Sequence, residues 1–251
     1  MDPIITNTYQ IFHGDSLEVL RSMPTASVDA IITDPPYSSG GLMRSDKMKS
    51  TTAKYLGKNG GGRPAFSGDN RDQRSWIMWC ILWMNECRRI LKPGGYFLVF
   101  TDWRQLPACT DAYQGAGMIW RGIISWDKGR AARAPHKGYF RHQCEYVIWG
   151  TNGPLAVPEA DGVHPGPFDG SYTIPVVQSE KLHQTAKPVS FMRKLVKCVP
   201  AGGVILDPFM GSATTGEAAL EEGCKFWGVE MGEDYFDISA FRLKTVAEAL
   251  A

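Results

Sequence analysis

Asp34, Pro35, Pro36 and Tyr37 follow directly on an apolar run, in the stretch VDAIITDPPYSSGG (Val28–Gly41). A carboxylate at the end of a buried strand is a fixed hydrogen-bond acceptor. The two prolines add carbonyl acceptors, supply no competing N–H and hold φ near one value. Acceptors set this way are preorganised, as electrostatic catalysis requires. Tyr37 adds a ring face on which a planar group can stack.

A second stretch has the same grammar. VILDPFMGSATTGEAALEEGCKFWGVE (Val204–Glu230) reads as strand, Asp-Pro-Phe, Gly-Ser turn, helix, strand and acid. The strand delivers Asp207 at its carboxyl end, and Gly211 allows a tight turn. A helix begins at Ser212–Thr215, where unpaired N–H groups face the crevice. Glu230 ends the second strand about twenty residues on, where nucleotide-binding βαβ units carry an acid for ribose hydroxyls. The glycine set needed for a pyrophosphate is incomplete. A nucleoside with a cationic or amino-acid tail fits better.

Alternating elements must position these groups. Near-continuous apolar runs predict strands at Tyr9–Gly14, Val28–Thr33, Gly95–Thr101, Met118–Trp126, Gln143–Gly150, Gly203–Asp207 and Cys224–Glu230. Helical patterns cover Ser16–Met23 with a Ser cap, Ser75–Leu91, Lys187–Val199, Ser212–Glu222 and Asp234–Leu250. This alternation predicts an α/β domain with a mostly parallel sheet. Met118–Trp126 and Gln143–Gly150 have no helix between them and are expected to pair antiparallel. The Trp- and Met-rich helix Ser75–Leu91 reads as packing surface rather than as part of a cofactor site.

Two insertions interrupt the pattern. Ser38–Arg74 is Gly-rich and holds eight Lys/Arg against three Asp. Asp127–Gln143 carries five Lys/Arg, two His and no acid after Asp127. Lys128, Arg130, Arg133, Lys137 and Arg141 read as phosphate contacts, against the plainer reading of a solvated hairpin. Tyr139 and Phe140 could wedge between bases.

Bulk properties set the class. The chain has 251 residues, 43% hydrophobic content and a net charge of +1, so any nucleic-acid surface must be local. Six cysteines show no C-x-x-C spacing and no zinc-ligand pattern. No metal site is expected. MDPIITNTYQ lacks the basic region and apolar run of a signal peptide, and no apolar run is long enough to span a membrane. A cytoplasmic protein with reduced thiols is the expectation.

The two Asp-Pro stretches together resemble the S-adenosylmethionine-dependent DNA amino-methyltransferases, the N6-adenine and N4-cytosine enzymes. HGDSLEVL (His13–Leu20), LKPGGYFLVF (Leu91–Phe100) and HQTAKPVSFMRKLV (His183–Val196) carry the resemblance further. The catalytic stretch precedes the cofactor stretch, as in the permuted class. The resemblance implies a single Rossmann-like methyltransferase domain over 1–251, with a mostly parallel seven-stranded sheet, one antiparallel strand and helices on both faces. It implies adenine N6 methylation in DNA by base flipping, with Asp34 and the Pro35 carbonyl accepting from the amine, Pro36 stiffening the turn and Tyr37 stacking on the base. S-adenosylmethionine would lie against Asp207, Phe209, Gly211, Ser212 and Thr214. Glu230 would take its ribose, Asp15 its adenine amine, and Lys187, with Gln184 and Thr185, its carboxylate. Asp15 also reads as a plain turn residue, Lys187 as a solvated helix start, and Thr214 as a cap. Cytosine-specific members tend to carry Ser in place of Asp34, so adenine is favoured over cytosine. Protein-glutamine or RNA methylation and a non-catalytic nucleic-acid-binding relic are the remaining alternatives. Many relatives with this motif order form dimers, so a homodimer is an expectation; whether a restriction enzyme accompanies the chain is not written in the sequence.

Overall fold

The computed structural model describes residues 1–38, 70–130, 136–155, 166–175 and 187–251. Most of the Ser38–Arg74 insertion, along with Arg133, Gln184 and Thr185, lies outside the described residues. In chain order the elements are β1 (Ile4–Ile5), β2 (Tyr9–His13), α1 (Ser16–Ser22), β3 (Val28–Thr33), α2 (Gln73–Ile90), β4 (Leu91–Thr101), α3 (Leu106–Gly115) and β5 (Ile119–Asp127). They continue with β6 (Cys144–Thr151), β7 (Ser171–Thr173), α4 (Val189–Val196), β8 (Val204–Asp207), α5 (Thr214–Glu221), β9 (Lys225–Glu230) and α6 (Glu233–Leu250).

Nine strands among the described residues form one sheet, in the order β1-β2-β9-β8-β3-β4-β6-β5-β7. The seven expected strands are its interior. The short edge strands β1 and β7, of two and three residues, raise the count from seven to nine. Too few residues alternate in either for a sequence pattern to show. β6 runs antiparallel to both β4 and β5, as its short connection to β5 requires. β2, β9, β8, β3 and β4 are mutually parallel.

Helices cover both faces, because the central strands are apolar on both. Ile32, Leu98, Phe100 and Ile205 face α4, α5 and α6. Ile31, Phe97, Val99 and Leu206 face α1, α2 and α3. Helix α3 was not expected from sequence. Its Thr, Asp, Tyr, Gln and Gly residues have modest intrinsic propensity, and tertiary packing of Ala108, Cys109, Ala112 and Tyr113 holds it. Helix α1 is capped by Asp15, whose carboxylate accepts from the N–H groups of Leu17 and Glu18, and not by Ser16. Ser16 instead donates to the Pro208 carbonyl at 2.6 Å and ties α1 to the second Asp-Pro turn. Asp72 caps α2 in the same way.

The β5–β6 pairing depends on one small residue. A Cβ on Gly150 would lie 1.9 Å from the Ile119 carbonyl oxygen and 2.8 Å from the Tyr113 hydroxyl. Gly150→Ala is expected to force these strands apart and to cost about 3 kcal/mol or more, measured as a fall in the urea midpoint with unchanged m-value.

Candidate active site

The parallel strands β2, β9, β8, β3 and β4 end on one edge of the sheet. At that edge the two Asp-Pro turns sit side by side, because β3 and β8 are hydrogen-bonded neighbours.

The first turn is held from three directions. Trp76 of α2 donates its indole N–H to the Pro36 carbonyl at 2.8 Å. Gln105 donates to the Tyr37 carbonyl at 2.8 Å. Ser38 is buried with φ of 52°, a left-handed conformation, and its hydroxyl accepts from the Arg71 N–H at 3.3 Å. Among the described residues nothing donates to the Pro35 carbonyl, so it stays open as an acceptor.

Asp34 has two partners of its own. The Tyr37 hydroxyl donates to Oδ1 at 2.6 Å, and the Lys187 ammonium donates to Oδ2. Burial pushes the Asp34 carboxyl above its ordinary range, and the Lys187 charge only partly offsets this. Lys187 is itself buried, just before α4, and its ammonium lies 5.1 Å from the centre of the Phe100 ring. Its second anion is Glu145 of β6, whose Oε2 lies 3.4 Å away. Glu145 Oε1 in turn takes Lys128 at 2.9 Å. Burial alone would depress Lys187, but the two carboxylates hold it above the usual lysine range. Lys187 is therefore neither a solvated helix start nor remote from Asp34. Lys128, expected to reach phosphates, points inward onto Glu145.

The second turn is built on Asp207, which is 2% exposed. Its Oδ1 accepts from the Thr33 hydroxyl at 2.7 Å and from the Phe209 N–H at 3.1 Å. Its Oδ2 accepts from the Thr215 hydroxyl at 2.7 Å. Asp207 thus shapes the turn with both oxygens. Gly211 and Ala213 take φ of 52° and 59° there, the latter a strained value for a residue with a Cβ. Helix α5 starts without a side-chain cap. Thr214 does not cap it; its hydroxyl accepts from Arg242 at 2.9 Å. Ser212 is buried beside it. Phe209 packs on Trp79 and Trp83 at 5.3 and 5.0 Å, so the Trp-rich helix α2 does brace this turn.

Glu230 ends β9 opposite His13 of β2. Its Oε2 accepts from the Gly211 N–H at 3.0 Å and its Oε1 from the Gly232 N–H at 2.7 Å. The Met231 N–H is a third backbone donor to this carboxylate, which still keeps acceptor capacity. Burial holds this carboxyl above its ordinary range despite the three N–H donors. His13 Nε2 is buried with no hydrogen-bond partner among the described residues. Asp15, at the next turn, is exposed and uses only Oδ1 in its cap. The crevice therefore offers a carboxylate with acceptor capacity left, a group suited to the hydroxyls of a nucleoside.

The basic connection lies at the same edge, beyond β5 and β6. Arg130, Lys137 and Arg141 are exposed. Tyr139 is 67% and Phe140 95% exposed, both unusual for such side chains. Trp103, in the turn after β4, stacks on His142 at 5.5 Å.

Sequence reasoning missed Glu145, Trp76, Gln105 and Thr33. Glu145 had one signal, a lone acid entering an otherwise apolar strand, CEYVIWG. The other three are partners of backbone or buried atoms and carry no motif.

The Asp207 carboxyl is raised to about 6 by burial, against 3.8 unfolded. The folded value is the higher, so this group favours the fold while protonated. That contribution is complete below pH 3.8 and disappears as pH rises through about 6. Asp207→Asn keeps the shape without the charge. Relative to the variant, the wild type is expected to lose up to about 3 kcal/mol between pH 4 and 7, measured by urea unfolding at each pH.

Residues 28–241 match the N6/N4 methyltransferase family model, described as DNA methylase. The chain is 28% identical over 283 residues to the type II methyltransferase M.ScaI of Streptomyces caespitosus, covering 98% of this chain and 84% of that one. Its fold is similar to the structure titled M1.HpyAVI-SAM complex, with a TM-score of 0.66, 22% identity and coverage of 94% of this chain and 98% of that one. It is similar as well to PvuII DNA methyltransferase, titled cytosine-N4-specific, with a TM-score of 0.70, 18% identity and coverage of 98% and 92%. With the family model spanning both Asp-Pro turns and most of the sheet, the chain belongs to the N6/N4 DNA methylase family of S-adenosylmethionine-dependent amino-methyltransferases.

Proposed function

We propose that this chain methylates the N6 amine of adenine in DNA. The observation that carries the reading is the part-buried Asp34 carboxylate, paired with Lys187, beside an open Pro35 carbonyl and one strand away from the Asp207 turn. An exocyclic amine is a poor nucleophile, because its lone pair is delocalised into the ring. Two acceptors fixed at Asp34 and Pro35 draw its N–H groups and turn the nitrogen lone pair outward. Each Asp34 oxygen keeps a lone pair beyond those used by Tyr37 and Lys187. Burial makes Asp34 more basic than a free carboxylate, so it is suited to hold the proton that the amine sheds. The Tyr37 ring stacks on the extruded base.

S-adenosylmethionine supplies an activated methyl group on a sulfonium. Glu230 takes its ribose hydroxyls through its remaining acceptor capacity, with Phe209, Gly211 and Ser212 along the remainder. Asp207 acts on it through the turn that it shapes, and Asp15 and His13 stand at the nucleobase end. Arg130, Lys137 and Arg141 form the DNA-facing surface, and Lys128 is left out of it.

N4-cytosine methylation is the second reading, favoured by the likeness to the PvuII enzyme. It uses the same acceptors on the same kind of amine. Asp rather than Ser at position 34 supports adenine. Methyl transfer onto unmethylated plasmid, followed by nucleoside analysis, decides the matter: N6-methyladenine is expected, and N4-methylcytosine would replace this reading with the second.

Asp34→Ala is expected to reduce turnover to below about one hundredth, the scale set by removing a preorganised acceptor. Its affinity for S-adenosylmethionine should stay within a few-fold. Glu230→Ala should do the opposite, weakening the cofactor by about 1.5–3 kcal/mol on isothermal titration. Neutralising Arg130, Lys137 and Arg141 together should weaken binding to any duplex. The log–log salt slope should fall by about 0.9 for each phosphate that the variant no longer neutralises. Filter binding from low to moderate salt reads this directly.

A further inference from the structure

Five polar side chains form a row under the target side of the site. Lys128, Glu145, Lys187, Asp34 and Tyr37 follow one another, each touching the next. They come from the end of β5, β6, the entry to α4 and the turn after β3. Lys187 stands between two carboxylates but is shared unequally. It is hydrogen-bonded to Asp34, while Glu145 Oε2 waits at 3.4 Å, buried and without an aligned hydrogen bond.

This inequality matters for the proposed chemistry. A target amine must take a lone pair on Asp34, and an ammonium held on the same carboxylate competes for it. We propose that Glu145 is a positioning residue that draws the Lys187 ammonium off Asp34 when the target amine arrives, so that Asp34 turns an oxygen to the amine while its charge stays neutralised. The move is small, because closing a 3.4 Å ion pair to hydrogen-bond length needs well under 1 Å. Lys128 holds the other oxygen of Glu145 at 2.9 Å and fixes the carboxylate in place. The Lys187 and Lys128 charges hold the Glu145 carboxyl below its ordinary range in spite of its burial, which favours an anionic second seat for Lys187. The inference rests on Asp34 being the acceptor for the target amine.

The charged groups facing Asp34 are Lys187, Glu145 and Asp207, with Lys128 beyond Glu145 and Asp102 beyond Tyr37. Glu145 raises the Asp34 carboxyl, so removing its charge lowers it. In Glu145→Gln, Lys187 stays on Asp34. The expected result is a kcat on plasmid DNA lower by about 10–100-fold, with the acid limb of the pH–kcat profile displaced to lower pH. Affinities for S-adenosylmethionine and DNA should remain within about threefold, the range that leaves ground-state binding intact. Glu145→Asp, which keeps the charge but retracts it, should show both changes at smaller size. A Glu145→Gln enzyme with wild-type kcat and acid limb overturns the proposal. So does a slow enzyme whose acid limb has not moved, since poorer packing alone gives that result. If Glu145→Gln does not fold, Glu145→Asp decides by the same two readings. Asp34→Ala is assayed alongside. If that variant turns over, the acceptor reading itself fails; if it is inactive and Glu145→Gln is normal, only the role of Glu145 fails.

Discussion

The site depends on one buried carboxylate. Asp207 accepts from Thr33 at the end of β3, from Phe209 in its own turn and from Thr215 on α5. Thr33 is the residue before Asp34, so this group joins the two Asp-Pro turns, the proposed target and cofactor sides, through a single hydrogen bond. Methyl transfer needs two reactants held at a fixed separation. Here that separation is set by neighbouring strands and locked by Asp207, not by mobile loops. The cost is a carboxyl group in an apolar core, visible in its raised pKa.

The target side accepts a similar cost on a larger scale. Two carboxylates and two ammoniums in and around Asp34 are mostly withdrawn from water. A row of buried charge contributes little net stability, because desolvation offsets the attraction. An apolar set of the same volume would pack as well, but it would accept nothing from an amine. The row also explains how Asp34 can be largely withdrawn from water and still act as an anion. Its charge is balanced by Lys187, whose own charge is held by Glu145.

Much of this was legible in the sequence because buried parallel strands announce themselves. Val28–Thr33 and Val204–Asp207 are unbroken apolar runs that end on carboxylates, and both the strands and the turns after them stand where the pattern put them. The seven interior strands are long enough to show a run; β1 and β7 are too short. Helix α3 lacks strong helix formers and is held by its packing. Asp15 and Ser16 exchanged roles, since either can cap a helix and only the tertiary position of Pro208 decides which one is free. Glu145, Trp76 and Gln105 escaped notice for another reason. Each acts on a residue far away in sequence, and Trp76 and Gln105 do so through backbone carbonyls that carry no side-chain signature.

The direction of β6 has a consequence for the loop before it. An antiparallel strand brings its first residues, not its last, to the edge where the parallel strands end. Glu145 therefore reaches the site at the start of β6, close in sequence to the exposed basic segment. The base of that segment is clamped three times: Lys128 N–H to the Gln143 carbonyl at 2.9 Å, Lys128 to Glu145 at 2.9 Å, and Asp127 to the Gly129 N–H at 2.8 Å. The clamp works as a socket. Everything between Gly129 and His142 can be replaced by a loop of another length or composition at small entropic cost, while the residues that face the catalytic carboxylate stay where they are. The proposed DNA-facing surface can diversify without the proposed chemistry having to be rebuilt.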